Sequence, residues 1–440
     1  TAAIPRGKIV DRNGVTLARD ATPDDSNATG LMTPDGRRRV YPGGPACAHL
    51  LVAVEAQGSD TNPLGRNAEL RGFPDYAALL PAYRHQYLPY GPRPHGENVR
   101  LAIVLADQQV ATDALTHYAA QSRDRRTGKP KNKGAAVLLN AATGEVLAAS
   151  SIPTFDPQTL TSTQWNAMHN GSDKQNTLLN RALAGLYPPG SVFKIVTATA
   201  ALESGKGDTI IQCRHIDTNV VWHFDNHTYA RKRITDEEGF VPHGTTDLAR
   251  ALRVSCNVYF ANLAIDTGAP ALDQTARQRF ALSHMPTLAK LGEDLPDCGY
   301  GQGAITVSPL EMARVAQAVA DNGQLLPVRF IEGDADANAA PPIAAMSPAQ
   351  AAQLQTMLAA VTAPGGTAQG VFDSLRVRVA GKTGSAQNNQ GDSVTHSWFV
   401  GFAPVQNPTL AFACIVENGG AGRSAAAPVC RELLRKALTE

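Results

Sequence analysis

The sequence predicts an α+β protein, with a helical cluster packed on an antiparallel sheet. Three observations carry that expectation. "RVRVAGKTGSAQ", "HSWFVGFAP" and "TLAFACIVEN" are three consecutive strand candidates near the end of the chain. The run "IVTATAAL" after Lys194 is apolar enough for a central buried helix. "SPLEMARVAQAVADNG" is amphipathic and stops at a glycine, as helices do.

Taken in order, residues 7–19, "GKIVDRNGVTLAR", read as a hairpin of two β-prone runs around Asn13-Gly14, a dipeptide suited to a tight turn. Residues 21–97 are rich in Pro, Gly and Tyr with weak periodicity, and are expected to be irregular. "NVRLAIVLADQQVATDALTHYAAQS" predicts a strand running into a helix. The basic segment "RDRRTGKPKNKG" that follows reads as a solvated loop and sets a boundary, giving domains 1–133 and 134–440. Beyond it, "AAVLLNAATGEVLAASS" predicts two strands around Thr143-Gly144, residues 191–204 a helix, and "TTDLARALRVSCNVYFANLAIDTG" one or two more. A last helix is expected over "AAAPVCRELLRKAL".

The 440 residues are 43% hydrophobic, enough for a large core and two or three domains. Forty basic against thirty-nine acidic residues leave a net charge of +1, which argues against nucleic acid as the main partner. No apolar stretch is long enough to span a bilayer, so these residues are expected to be soluble. The six cysteines, Cys47, Cys213, Cys256, Cys298, Cys414 and Cys430, form no C-x-x-C pair, which argues against a thiolate zinc site. His215, His223, His227 and His243 lie near Cys213, and His223 and His227 have i, i+4 ligand spacing. In a polar loop they read as solvated or hydrogen-bonded rather than as metal ligands.

The chemistry centres on "GLYPPGSVFKIVTATAALESG", residues 185–205. Pro188, Pro189 and Gly190 cannot extend a helix backwards, so a helix starts near Ser191 and its free N–H groups surround the serine. Ser191 and Lys194 are three apart and share a helix face. Burial disfavours the charged lysine and moves it toward the range of a general base, which would activate the serine as a nucleophile. The plain alternative is a helix cap with a snorkelling lysine. Two further motifs weigh against it. "SCN" places Ser255 and Asn257 between two apolar helical runs, and "GKTGSA" sets Lys382, Thr383, Gly384 and Ser385 on a strand. Gly381 and Gly384 are expected to let a substrate backbone approach that strand. Cys256 is a further nucleophile candidate, though helix interiors commonly bury a free thiol.

The order Ser-x-x-Lys, Ser-x-Asn, Lys-Thr-Gly resembles the serine–lysine acyl-transfer set of penicillin-binding proteins and serine β-lactamases. "NRALAGLYPPGSVFKIVTATAALESG", "HGTTDLARALRVSCNVYFANLA", "GYGQGAITVSPLEMARVAQAVADNG" and "AGKTGSAQ…HSWFVGFAP" follow, in order and spacing, the transpeptidase domain of class B penicillin-binding proteins over essentially all of 134–440. "RGKIVDRNGVTLA" and "VYPGGPACAHLLV" resemble that family's N-terminal pedestal, which is otherwise short and divergent here.

The resemblance implies a peptidoglycan D,D-transpeptidase inhibited covalently by β-lactams. Ser191 would attack the penultimate D-Ala carbonyl of a stem pentapeptide, and Lys194 would take its proton. Ser255, aided by Lys382, would relay a proton to the leaving amine, and Asn257 would hold the donor peptide and Lys194. Thr383 and Ser385, with Gly384 between them, would bind the terminal carboxylate. The backbone N–H groups of Ser191 and Ser385 would form the oxyanion hole. The family often has threonine at the position of Ser385, so only a methyl is lost. No cofactor or metal is implied. A D,D-carboxypeptidase, a β-lactamase or a β-lactam-binding sensor or scaffold are the alternatives. The N-terminal region and the absence of a clear Ser-Asp-Asn or deacylating-glutamate signature argue against them. Also implied are an extracytoplasmic location, an anchoring helix ahead of Thr1, and a membrane glycan polymerase of the shape, elongation, division and sporulation family as partner.

Overall fold

The hairpin expected at the start of the chain is present. β1 (Ile9–Val10) pairs antiparallel with β2 (Thr16–Asp20), and Gly14 between them takes a φ of 81°, which suits a residue without Cβ. β3 (Arg39–Val40) extends this sheet beside β2, and β4 (Val99–Arg100) joins it parallel to β1. In this computed structural model the described residues are 5–25, 38–55, 64–71, 95–122, 132–214, 216–224, 227–236, 242–284, 294–332, 340–387 and 395–439, with 216–224 and 227–232 described by backbone alone. The basic segment expected to be a solvated loop lies largely outside them.

Residues 21–97 are not irregular throughout. Helix α1 (Gly44–Glu55) starts at the last glycine of "YPGG" and buries Cys47, Leu50, Leu51 and Val54. Its faces are almost uniformly apolar, so it carries no helical period to read from sequence. The expected strand-to-helix passage is borne out by β4 and by α2 (Leu105–Gln121). Gln108 on α2 bonds both ways with the backbone of Ala149, and Thr112 reaches Ser150 at 2.7 Å, so α2 packs on the strand that contains them.

That strand belongs to the main sheet. β5 (Gly134–Asn140) and β6 (Val146–Ile152) are the two strands expected around Thr143-Gly144. The helix expected over 191–204 begins as a 3-10 turn, Gly190–Phe193, and continues as α3 (Lys194–Glu203). The segment expected to be a polar, histidine-bearing loop is instead ordered into strands. β7 (Ile211–Cys213) leads to a hairpin of β8 (Ile216–Phe224) and β9 (His227–Thr235), and β10 (Gly244–Thr246) returns to pair with β7. His215 and the side chains of His223 and His227 lie outside the described residues.

Two helices follow, α4 (Leu248–Val254) and α5 (Asn257–Thr267), with Ser255 and Cys256 between them. α6 (Pro309–Ala320) opens on a capping box of Ser308 and Glu311. A small ladder of β11 (Gln324–Leu325) and β12 (Ile343–Ala344) precedes α7 (Pro348–Thr362), which is capped in the same way by Ser347 and Gln350. The three strands expected near the end are β13 (Ala380–Ala386), β14 (His396–Ala403) and β15 (Leu410–Val416), and the last helix is α8 (Ala426–Ala437).

The five-stranded antiparallel sheet runs β13-β14-β15-β5-β6. Its register is continuous from Lys382↔Val400 through Val400↔Ala413 to Ala413↔Val137. Alternate residues supply two cores, as a period of two requires. Val137, Leu139, Val400, Phe402 and Ile415 join α3, α5 and α6 on one face. Leu138, Phe399, Phe412 and Val416 face α2 and α8 on the other. A helical cluster covering an antiparallel sheet is the α+β arrangement the sequence predicts. Among the described residues, no helix is long and apolar enough to cross a membrane.

Candidate active site

Ser191 stands where several segments lock the chain. Gly190 adopts a φ of 55° and donates to the carbonyl of Gly301 at 2.8 Å. A Cβ on Gly301 would lie 1.9 Å from the Gly190 carbonyl oxygen, so the two backbones touch. Trp398 on β14 donates its indole N–H to the Pro188 carbonyl at 3.1 Å. The 3-10 turn that carries Ser191 is therefore held from both sides before α3 begins.

One turn on, Lys194 is wholly buried. Its ammonium donates to Asn257 Oδ1 at 2.7 Å, to the Ser255 carbonyl at 2.7 Å and to Ser255 Oγ at 3.2 Å. The Phe260 ring lies 5.5 Å away, offering its face to the cation. A snorkelling lysine would reach water, and this one does not.

Ser255 ends α4 in the left-handed region, with φ of 60° and ψ of 39°. For a non-glycine residue that backbone costs about 1–2 kcal/mol, and it turns the carbonyl and the hydroxyl of Ser255 together toward Lys194. Lys382 on β13 is also wholly buried and donates to Ser255 Oγ at 2.8 Å and to the Thr383 carbonyl at 3.0 Å. Two lysines from distant parts of the chain thus share one serine hydroxyl. Thr383 Oγ1 lies 2.6 Å from Thr367 Oγ1.

Ser191, Ser255, Asn257, Thr383 and Ser385 line one cleft with about 470 Å³ of open space, together with Gly422 and Arg423. A wider groove of about 1300 Å³ continues from Ser191, Asn257 and Ser385 toward Arg233, Asp294 and Tyr300. The structure thus gathers Ser191, Lys194, Ser255, Asn257, Lys382, Thr383 and Ser385 into one neighbourhood. Gly381 and Gly384 have a packing reason to be glycine that the sequence alone does not show. A Cβ on Gly381 would meet the Val400 carbonyl at 2.6 Å, and one on Gly384 would meet Trp398 Cβ and Val192 Cγ1 at 3.0 Å. The protein's own β14 and Ser191 turn fill the space a Cβ would take, whatever the strand also admits.

Sequence reasoning passed over Thr367, Arg423 and Asp236. Thr367 sits in "PGGTAQG" and Asp236 in "TDEEG", both of which read as turns. Asp236 accepts the backbone N–H of Asn257 and holds Asn257 in place. Burial pushes its carboxyl up, but hydrogen bonds from His243, Cys213 and Asn257, with the charge of Lys194, bring it to about 2. Sequence spacing keeps the cysteines apart, yet the fold brings Cys213 Sγ to 3.3 Å from Cys256 Sγ. Cys256 is fully buried, and its contact with Cys213, followed by burial, raises its thiol, so it is poorly suited to be a nucleophile.

The family model of the penicillin binding protein transpeptidase domain matches residues 134–435. The chain is similar to peptidoglycan D,D-transpeptidase PbpA of Mycolicibacterium smegmatis, with 30% identity over 388 residues covering 80% of this chain and 74% of that protein. It is also similar to peptidoglycan D,D-transpeptidase MrdA of Escherichia coli, with 25% identity covering 91% of this chain and 71% of that protein. Among solved structures, the imipenem acyl-enzyme complex of penicillin-binding protein A from M. tuberculosis superimposes with a TM-score of 0.76 at 27% identity, covering 99% of each chain.

Proposed function

The chain belongs to the penicillin-binding protein transpeptidase family, and from that premise we propose how its residues carry out D,D-transpeptidation of peptidoglycan stem peptides. The observation that carries the proposal is the convergence of Lys194 and Lys382 on Ser255 Oγ, in a cleft that Ser191 also lines.

Ser191 Oγ attacks the carbonyl carbon of the penultimate D-Ala. Its proton passes to Lys194, which acts as the general base when it is deprotonated. The oxyanion is met by the backbone N–H groups of Ser191 and Ser385. The C–N bond to the terminal D-Ala then breaks, and the leaving amine collects its proton through Ser255 Oγ, a donor that Lys382 orients and keeps polarised. This leaves an acyl ester on Ser191 and free D-Ala. An amine from a neighbouring stem peptide attacks the ester, forms the cross-link and returns the proton to Ser191. Asn257 positions Lys194 and accepts the donor peptide. Thr383 and Ser385 bind its terminal carboxylate, the group a β-lactam imitates.

The enzyme acts in the cell envelope, where its substrate is. We assign residues 134–440 to the transpeptidase domain and 1–133 to a short pedestal whose helix α2 lies on the sheet. The family resemblance supports an anchor ahead of Thr1 and a glycan polymerase of the shape, elongation, division and sporulation family as partner.

Intact mass after incubation with benzylpenicillin tests the reading. A stable adduct on the wild type and none on Ser191→Ala is expected, together with cross-linked product from a donor–acceptor peptide pair. Hydrolysis of the drug without an adduct, or an adduct that persists on Ser191→Ala, would overturn it.

A further inference from the structure

The turn between β15, which ends at Val416, and α8, which begins at Ala426, is pinned along its length. Asn418 donates its N–H to His396 Nδ1 at 3.1 Å, and Gly420 donates to the Thr395 carbonyl at 3.0 Å. Ser397 Oγ donates to the Ala421 carbonyl at 2.9 Å and accepts the Ala426 N–H at 3.0 Å. A Cβ on Gly422 would lie 2.8 Å from the backbone nitrogen of Gly384 and 2.9 Å from its oxygen. The turn therefore rests on β13 at the residue between Thr383 and Ser385. The next residue along it is Arg423.

Arg423 is exposed and lines the same cleft as Thr383 and Ser385. Among the described residues, no carboxylate pairs with its guanidinium. The two lysines buried at this site are both engaged. Lys194 donates to Asn257 and the Ser255 carbonyl, and Lys382 to Ser255 Oγ and the Thr383 carbonyl. Asp236, the carboxylate in the cleft lining, is taken up by His243 and the Asn257 backbone. What remains beside Thr383 and Ser385 is an uncommitted positive charge next to two hydroxyls. Thr383 Oγ1 meets Thr367 Oγ1 at 2.6 Å, so one hydroxyl of that pair keeps a proton to donate outward. Neutral hydroxyls hydrogen-bond a carboxylate, whereas a guanidinium adds charge and a planar fork that matches its two oxygens.

We propose that Arg423 is a further substrate-binding residue, pairing with the terminal carboxylate of the donor stem peptide and with the carboxylate of a β-lactam. The proposal rests on the reading that Thr383 and Ser385 bind that group. Gly422 fixes the point at which the arginine leaves the backbone, since any side chain at 422 would lift the turn off β13. The guanidinium acts on binding and leaves the proton path through Ser191, Lys194 and Ser255 untouched. It selects a donor that ends in a free carboxylate over one whose last carboxyl is amidated, esterified or extended.

The test compares the wild-type full chain with Arg423→Ala and Arg423→Lys, using benzylpenicillin and its methyl ester as probes. Stopped-flow acylation separates the half-saturating concentration from the limiting rate. For the acid, Arg423→Ala should raise the half-saturating concentration about tenfold and leave the limiting rate within about twofold. For the ester, which lacks the charge, the same substitution should change either quantity by no more than about twofold. Arg423→Lys should recover part of the loss, because it keeps the charge without the fork. In the wild type, added salt should weaken binding of the acid and not of the ester, a measurement free of any folding defect in a variant. Binding of both probes to Ser191→Ala, followed by ligand-detected NMR, reads the same contrast without acylation, so the identity of the nucleophile does not enter. A wild type that binds acid and ester equally would overturn the carboxylate subsite and the proposal with it. A wild-type preference for the acid that persists undiminished in Arg423→Ala would overturn the proposal alone, as would an equal loss for acid and ester.

Discussion

Lys382 donates to Ser255 Oγ at 2.8 Å, so a hydroxyl at the end of one helix is oriented by a strand more than a hundred residues later. Replacing the hydroxyl tests its part in proton transfer. Ser255→Ala keeps both lysines in place, one on Asn257 and one on the Thr383 carbonyl. Acylation by benzylpenicillin should slow by about 10²–10³-fold, the range for a lost proton relay, with the non-covalent binding constant little changed. Stopped-flow acylation kinetics separate the two. A loss confined to binding would remove Ser255 from the proton path.

Gly384 reports on how closely β13 runs along the Ser191 turn. In Gly384→Ala the new methyl would press on Trp398 Cβ and Val192 Cγ1, each 3.0 Å away. Overpacking of this kind costs about 1–3 kcal/mol. A shift of about 1 Å between Ser191 and Ser385 should lower acylation by about 100-fold. A thermal melt together with a fluorescent-penicillin assay measures both, and unchanged acylation would show that the strand and turn move independently.

The buried guanidinium of Arg181 supports the site from outside it. It meets Glu417 at 3.0 Å and the carbonyls of Gln175 and Asn176, while Tyr187 donates to the same Glu417 oxygen at 2.9 Å. Glu417→Ala leaves a charge that is 2% exposed without its counter-ion. Loss of about 3 kcal/mol is expected, read by denaturant titration. Arg181→Met combined with Glu417→Ala should recover part of that loss, because no unpaired charge then remains.

His49 makes stability depend on pH. Burial, with Arg181 nearby, lowers it to about 4, although its Nε2 faces the Thr177 carbonyl at 2.7 Å. In the unfolded chain it titrates near 6.5. A histidine held neutral in the native state contributes fully above 6.5, and that contribution is lost as pH falls from 6.5 toward 4. Between pH 7 and 4.5 the loss should be about 2–3 kcal/mol. His49→Gln, which keeps a donor for Thr177, should flatten that slope in denaturant titrations, and an unaltered slope would assign the acid sensitivity elsewhere.

Much of the fold was legible because its elements are local. The Asn13-Gly14 hairpin, the Thr143-Gly144 turn and the capped helix after Ser308 each carry their signal within a dozen residues. The same holds for Ser191, Lys194, Ser255, Asn257 and Lys382, whose spacing within three short motifs reveals them. Helix α1 was not legible, since an all-round apolar helix has no period. The β8–β9 hairpin was hidden by polar, histidine-rich composition. Thr367 and Asp236 were hidden for another reason. Each joins the site from a different strand end or turn, and nothing in its own neighbourhood marks it. The packing that requires Gly381 and Gly384 was hidden too, because the strand and turn that crowd them lie elsewhere in the sequence.

The closure of the main sheet sets the order in which the protein becomes functional as it is made. β5 and β6 leave the ribosome early, yet the neighbour that β5 requires is β15, synthesised some 270 residues afterwards, where Val137 pairs with Ala413. Until β14 and β15 arrive, β13 has no partner to lie on, and Lys382 cannot reach Ser255. A chain that already contains the serine and both lysines is therefore inert to penicillin until nearly its last strand has emerged. Penicillin labelling of stalled nascent chains would time that moment. Long-range pairing of this kind is slow, so the growing enzyme depends on protection of its exposed β5 edge for much of its synthesis.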